Sequence, residues 1–113
     1  MKSFRFAWEG IASFFYKEHN AWIHLMATVV VFTLAALVGV TKTELLGLVF
    51  AIGFVWVAEM FNTCIERMMD FVSVHRHPEI KFIKDLAAGA VLVSALTAFI
   101  VGLIVFIPKL HVG

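Results

Sequence analysis

The 113-residue chain has few charged residues, and its charges are nearly balanced. Charged side chains make up 15% of the residues, nine basic against eight acidic. Binding to nucleic acid usually needs a strongly basic face, so this balance does not indicate a nucleic-acid partner. A soluble fold is also not indicated, because a domain of this length would lack the polar surface needed to cover so many apolar side chains.

Cysteine pairs and the common nucleotide-binding loops are absent as well. Cys64 is the single cysteine, so the chain cannot form an internal disulfide, and it gives no information on the redox compartment. Neither a G-x-x-x-x-G-K-[ST] loop nor a G-x-G-x-x-G loop occurs, so any nucleotide chemistry must use another kind of site. No cleavable signal peptide is predicted, because the short, amphipathic N-terminus carries Glu9 and Glu18 before the first apolar segment.

Apolar residues, by contrast, make up 62% of the chain, and the mean hydropathy is +0.96. Three apolar segments stand out, at about 21–40, 45–66 and 86–107. A helix needs roughly 20 apolar residues to cross a hydrocarbon core about 30 Å thick. The second segment qualifies only if its polar C-terminal end is helical and reaches the interface. The sequence therefore predicts an all-α membrane protein with three transmembrane helices in a single domain, residues 1–113.

The N-terminal segment predicts a further helix, over about residues 3–19. Its apolar side chains recur at intervals of three and four, which predicts an amphipathic helix lying in the cytoplasmic interface. Packing of this helix on the membrane helices would produce the same pattern. Both alternatives place Glu18 near the membrane surface. The apolar positions are Phe4, Ala7, Trp8, Ile11, Phe14 and Phe15.

The distribution of lysine and arginine predicts the orientation in the membrane. Seven of these residues precede the first span or lie between the second and third, against two on the opposite side. This excess places the N-terminus and the longer connection in the cytoplasm and the C-terminus outside. The seven are Lys2, Arg5, Lys17, Arg67, Arg76, Lys81 and Lys84, and the two are Lys42 and Lys109.

The stretch from Ala58 to Asp70 carries acidic side chains where the second span should leave the bilayer. At about 100° per residue, Glu59, Glu66 and Asp70 fall within about 40° of one another on a helix, with Asn62 about 60° to one side. Glu59 would lie about 10 Å deeper than Glu66. Ionisable groups inside a membrane usually mark functional sites, although hydrogen bonding between helices is a structural alternative. Repulsion among these acids calls for a compensating cation.

A second polar cluster, Lys84 and Asp85, directly precedes the third apolar segment. Lys84 is suited to holding a phosphate, and Asp85 can either cap the third helix or orient a neighbouring side chain. His75 and His77 lie two residues apart without a recognisable pattern of partners, so zinc binding is not predicted. Small residues four apart in the third span would let helices approach closely. They are Ala90, Ser94, Ala98 and Gly102.

These motifs together resemble those of one family. "AEMFNTCIERMMD" resembles the E-x-x-N-[ST]-x-I-E-x-x-x-D signature of the small bacterial membrane lipid kinases, the diacylglycerol kinase and undecaprenol kinase family. "KDLAAGAVL" and "KEHNAWIH" are similar to two further blocks of that family, so the resemblance covers nearly the whole chain. It implies transfer of the ATP γ-phosphoryl group to the primary hydroxyl of a lipid alcohol. It also implies a homotrimer with shared active sites in the bacterial cytoplasmic (inner) membrane.

The resemblance implies a role for each candidate residue. Glu59 matches the catalytic base, and Asn62 matches the amide beside it. Glu18 and Glu66 match the carboxylates that hold Mg²⁺ with the ATP phosphates. The positions that match the outer acid of the motif and the nucleotide contacts are Asp70, His77, Lys84 and Asp85.

Alternatives remain for the identity of the lipid substrate and for the functional class of the protein. Asn20 and His24 resemble the undecaprenol kinase branch, which favours undecaprenol slightly over diacylglycerol, whereas His75 and Arg76 depart from the acidic and aromatic residues often found in the family. A small proton-coupled transporter could also use Glu59, but it would not need the acids nearer the cytoplasm. A non-enzymatic membrane subunit would leave all of these acids without a function.

Overall fold

The computed structural model describes residues 2–73, 75 and 77–110, and every regular element within them is an α-helix. Three helices, α2 to α4, are long and apolar enough to cross a membrane. The prediction of an all-α chain with three helices of membrane-spanning length and composition is therefore confirmed. Arg76, which entered the prediction of orientation, lies outside the described residues. The helices are α1 (Lys2–Lys17), α2 (His19–Val38), α3 (Lys42–Val72) and α4 (Pro78–Leu110).

Helices α3 and α4 are longer than a bilayer requires, because polar stretches continue them. They contain 31 and 33 residues, so each is about 45–50 Å long against a hydrocarbon core of about 30 Å. The stretch from Ala58 to Asp70 is helical throughout, as predicted. Each helix therefore has several turns that can extend beyond the hydrocarbon core.

By its internal contacts the chain divides into two compact units, Met1–Leu37 and Val38–Gly113. In the first unit, Glu18 occupies the single-residue break between α1 and α2 and is partly buried. Its N–H donates to the Phe14 carbonyl at 3.0 Å, and its own carbonyl accepts from the Ala21 N–H at 3.2 Å. The Trp22 indole N–H donates to the Phe15 carbonyl at 2.9 Å, so a carbonyl near the end of α1 is satisfied by a side chain of α2.

The second unit is a hairpin of α3 and α4. Helix α3 begins with a capping box, in which the Glu44 N–H donates to Thr41 Oγ1 at 3.1 Å and the Thr41 N–H donates to Glu44 Oε1 at 2.8 Å. The connection between the two helices is only five residues long, so they run antiparallel. Most large apolar side chains on their outer faces are exposed, among them Phe50 at 76% and Phe99 at 64%, as expected of helices that face lipid.

Buried positions in this unit recur at helical spacing on both helices. They are Leu48, Ala51 and Glu59 on α3, and Ala87, Ser94 and Val105 on α4. The predicted series of small residues coincides with them only in part, because Ser94 is buried while Ala90 is exposed. A Cβ atom added at Gly102 would meet nothing within 4 Å. Packing within the described part of this chain therefore does not require a small residue at Gly102.

Candidate functional site

A cavity of about 850 Å³ lies where α3 ends and α4 begins. Its volume is within the range of about 300–1,000 Å³ typical of small-molecule sites. Polar and charged side chains from both helices and their connection converge there. The charged and imidazole groups in the lining include Glu66, Asp70, His77, Lys81, Lys84 and Asp85.

Both lysines of the cavity donate to carboxylates. Lys84 Nζ on α4 lies 2.8 Å from Asp70 Oδ1 on α3, with side chains 32% and 67% exposed. Lys81 Nζ lies 2.6 Å from Asp85 Oδ2 within α4. Glu66, one turn before Asp70, is an exposed third carboxylate. Exposed ion pairs contribute only about 0–1 kcal/mol, so a ligand of suitable charge can replace the carboxylates at little cost.

His77 caps the first turn of α4. The Glu79 N–H donates to His77 Nδ1 at 3.1 Å, and the Lys81 N–H donates to the His77 carbonyl at 2.9 Å. A ring nitrogen that accepts a hydrogen bond is unprotonated, so the neutral ring carries its proton on Nε2. This cap was not predicted from the sequence. The signal for it was Pro78 directly after a polar residue, since proline favours the first position of a helix.

The alternative that Asp85 caps the third membrane helix is wrong. Helix α4 begins at Pro78, so Asp85 lies two turns inside it. The backbone N–H groups at Asp85 are already bonded within the helix, and only the first turn has unsatisfied donors. The Asp85 carboxylate instead accepts from Lys81, so it orients a neighbouring side chain.

Two candidate residues lie earlier in α3 than the cavity residues, nearer the apolar part of the helix. Glu59 is buried, at 6% exposure, and Asn62 follows it by three residues on the same helix, where side chains are neighbours. The Asn62 Oδ1 atom is buried and has no hydrogen-bond partner in the described part of the chain. Such an acceptor costs about 1–3 kcal/mol unless it finds a donor. A ligand or another chain can supply that donor.

The structure thus brings together five of the eight candidate residues at the cavity. Glu59 and Asn62 lie nearer the middle of α3, and Glu18 belongs to the first unit. Among residues 2–73, 75 and 77–110, no three His, Cys, Asp or Glu side chains are grouped so that they could hold a metal ion. The five residues at the cavity are Glu66, Asp70, His77, Lys84 and Asp85.

Comparison with known proteins decides the family. A sequence profile of the prokaryotic diacylglycerol kinases matches residues 5–106. The chain belongs to this family. It is 38% identical to the undecaprenol kinase of Bacillus subtilis over 109 residues, which are 96% of this chain and 89% of that protein. It is 37% identical to the diacylglycerol kinase of Synechocystis sp., again over 96% of this chain, but spans only 62% of that protein.

The resemblance to the membrane lipid kinases is therefore confirmed. Both of these relatives are named as kinases, and the match to the prokaryotic diacylglycerol kinase family extends from α1 into the last turns of α4. A kinase family implies the use of ATP. Neither comparison supports the transporter hypothesis for Glu59. With three apolar helices of membrane length, the family assignment indicates a multi-pass membrane protein.

Proposed function

We propose that the protein transfers the γ-phosphoryl group of ATP to the primary hydroxyl of a membrane lipid alcohol. The observation that carries this proposal is the position of the charged cavity at one end of two membrane-length helices. A water-soluble nucleotide and a lipid hydroxyl must meet at such a boundary. Carboxylates at graded depths along α3 suit both substrates, and membership of the prokaryotic diacylglycerol kinases supports a kinase reaction.

In this proposal ATP occupies the cavity. Lys84 exchanges the Asp70 carboxylate for a phosphate oxygen, since lysine suits a phosphate as a compact point charge. His77 presents Nε2–H as a donor to the nucleotide. Asp85 is a further nucleotide contact, and Asp70 receives the lysine again when the product leaves.

The cavity also suits a magnesium ion bound with ATP. Mg²⁺ prefers one or two protein carboxylates together with phosphate oxygens, so a group of three protein ligands is not needed. Glu66 fits, because it is an exposed carboxylate that lines the cavity. The family resemblance assigns the second carboxylate to Glu18. When bound, Mg²⁺ neutralises phosphate charge during transfer.

Glu59 is the proposed general base. Its carboxylate accepts the proton of the lipid hydroxyl while that oxygen forms a bond to the γ-phosphorus, and the bond from the γ-phosphorus to the bridging oxygen of ADP breaks. Asn62, one turn along the helix, orients the reacting groups through its amide. Glu59 lies seven residues before Glu66, about 10 Å along α3, so the base is nearer the apolar part of the helix than the cavity is.

The assembly and orientation belong to the same proposal. The excess of lysine and arginine places the N-terminus and the α3–α4 connection in the cytoplasm of a bacterial inner membrane. Helix α1 lies in the interface, since Phe4 and Trp8 on its apolar face are 75% and 67% exposed and suit contact with acyl chains. The chain acts as one domain and assembles as a homotrimer. The exposed apolar faces of α3 and α4 leave room for other copies.

Undecaprenol is the preferred lipid in this proposal, with diacylglycerol second. Asn20 and His24 favour the undecaprenol branch, while two relatives of nearly equal identity are named for different lipids. Apolar surfaces discriminate poorly between apolar tails, so we expect both lipids to be phosphorylated. Initial rates with the two lipids in one detergent will rank them, and a clear preference for diacylglycerol would reverse the order.

The experiment that tests the kinase activity is a transfer assay. Detergent-solubilised protein is given γ-labelled ATP, magnesium and a mixture of lipid alcohols, and the lipid fraction is analysed for label. We expect label in a phosphorylated lipid. Its absence, with the protein folded and both substrates present, would contradict the proposal.

A further inference from the structure

The cavity contains a second lysine that has no assigned role. Lys81 lies outside the sequence blocks that resemble the lipid kinase family, three residues before Lys84. It lines the cavity together with Asp85, and the Lys81 Nζ atom lies 2.6 Å from Asp85 Oδ2. Both carboxylate and ammonium group are therefore at the cavity wall.

Lys81 is the more available of the two cations. Its side chain is 79% exposed, against 32% for Lys84. Lys84 pairs with Asp70 on the other helix, so withdrawing it removes a contact between α3 and α4. Lys81 pairs with a residue four positions along its own helix, and such exposed pairs are weak in water. An incoming anion can therefore recruit Lys81 without loosening the hairpin.

The spacing of the two lysines suits a ligand with several negative charges. Residues three apart on a helix lie about 60° apart around it and about 4.5 Å apart along it, so Lys81 and Lys84 share one side of α4. Three carboxylates line the cavity against these two lysines. Two ammonium groups match a polyanion better than one, because magnesium bound with the phosphates offsets only part of their charge.

We propose that Lys81 is a second binding residue for the phosphate chain of the nucleotide. In this structure Lys81 donates to Asp85, and when the nucleotide enters it donates to a phosphate oxygen and releases the Asp85 carboxylate. This inference rests on the proposed function, because it requires ATP to bind in this cavity. It adds a residue that neither the family motif nor the helix pattern indicates.

Equilibrium binding of labelled ATP to the full-length protein in detergent, with magnesium present, tests this role. Inorganic triphosphate is then used as a competitor, since it has the phosphate chain but no base or ribose. We expect Lys81→Gln to weaken both ATP and triphosphate by about tenfold, the loss typical of one charge-assisted hydrogen bond. Lys81→Arg should restore most of the affinity, because it keeps the charge.

Lys42→Gln is the matched control, since Lys42 is an exposed lysine at the opposite end of the hairpin. It should leave both affinities unchanged. Unchanged affinities in Lys81→Gln would overturn the inference and leave the kinase proposal intact. A loss for ATP alone would also overturn it, because Lys81 would then act only by orienting Asp85. Failure of the unaltered protein to bind ATP would instead contradict the proposed function, and failure to bind triphosphate would count against a phosphate site here.

Discussion

At each end of the α3–α4 hairpin, a lysine of α4 pairs with a carboxylate of α3. Lys84 Nζ lies 2.8 Å from Asp70 Oδ1 at one end, and Lys109 Nζ lies 3.0 Å from Glu44 Oε1 at the other. The side chains are 32% and 67% exposed in the first pair, but 21% and 28% exposed in the second. The two pairs have the same chemistry in different surroundings.

The surroundings show how one contact can serve two purposes. Glu44 also accepts from the Thr41 N–H within the capping box, so one carboxylate joins the start of α3 to the end of α4. At the other end, Asp70 and Lys84 stand beside a large cavity with more carboxylates than lysines. We infer that the Glu44 end holds the helices together, whereas the Asp70 end exchanges its partners with a ligand.

The largest effect expected at the functional end comes from Glu59→Gln. This change keeps the shape of the side chain and removes the proton acceptor, so turnover should fall by about 100-fold or more. The helical content and the oligomeric state should not change. Turnover close to that of the unaltered protein, measured in the lipid transfer assay, would reassign Glu59 to packing.

Substitution of either proposed magnesium ligand should weaken magnesium binding to a similar extent. Glu66→Gln and Glu18→Gln should each raise the magnesium concentration needed for half-maximal activity by about tenfold, since each removes one charged ligand. The double variant should be little worse than the poorer single one, because ligands of one ion are not additive. Magnesium titrations of the three variants provide the measurement, and fully additive losses would assign Glu18 and Glu66 to separate sites.

Between the two ends of the hairpin, a larger side chain on α4 should weaken assembly of the proposed trimer. Ala98→Leu adds bulk in a series of small residues on α4, so we expect the proposed trimer to weaken through steric overlap. Gly102→Leu is the companion change, since Gly102 has open space within its own chain. The oligomeric state of each variant is determined by measuring the mass of the protein in detergent. An active monomer of the unaltered protein would count decisively against the trimer.

The comparison of the two ends is sharpened by two matched substitutions. Lys109→Gln should lower the free energy of unfolding by about 1 kcal/mol, the upper value for a partly exposed ion pair, and leave the activity of the folded protein unchanged. Lys84→Gln should instead reduce ATP affinity with a smaller change in stability. Thermal unfolding and ATP binding are measured for both variants. Equal effects on both quantities would remove the proposed distinction between the ends.

The smallest expected effect concerns the cap of α4. His77→Ala removes the acceptor for the Glu79 N–H, which should cost about 0.5 kcal/mol of stability, the lower value for a lost cap, because His77 is exposed. His77→Asp restores an acceptor and should recover that stability without recovering a contact of Nε2–H with the nucleotide. Thermal unfolding with and without ATP separates the two roles. If both variants unfolded at the same temperature as the unaltered protein, with and without ATP, His77 would neither cap α4 nor bind the nucleotide.

The sequence by itself predicts the three membrane helices and the acidic stripe of α3, because hydropathy and helical periodicity are local properties. For the start of α4 it offers only the proline at position 78, since polar residues before an apolar segment are compatible with either a loop or a helix. Family resemblance supplies the roles of Glu59 and Asn62, and they remain predictions.

Only the tertiary structure decides which distant side chains meet. Asp70 and Lys84 are separated by 14 positions, and Glu44 and Lys109 lie near opposite ends of the hairpin sequence. Whether such residues pair depends on the register of α3 against α4, which small shifts in packing would change. The same register brings Lys81 and Glu66 to one cavity from different helices. A helical wheel describes each helix separately and cannot contain that information.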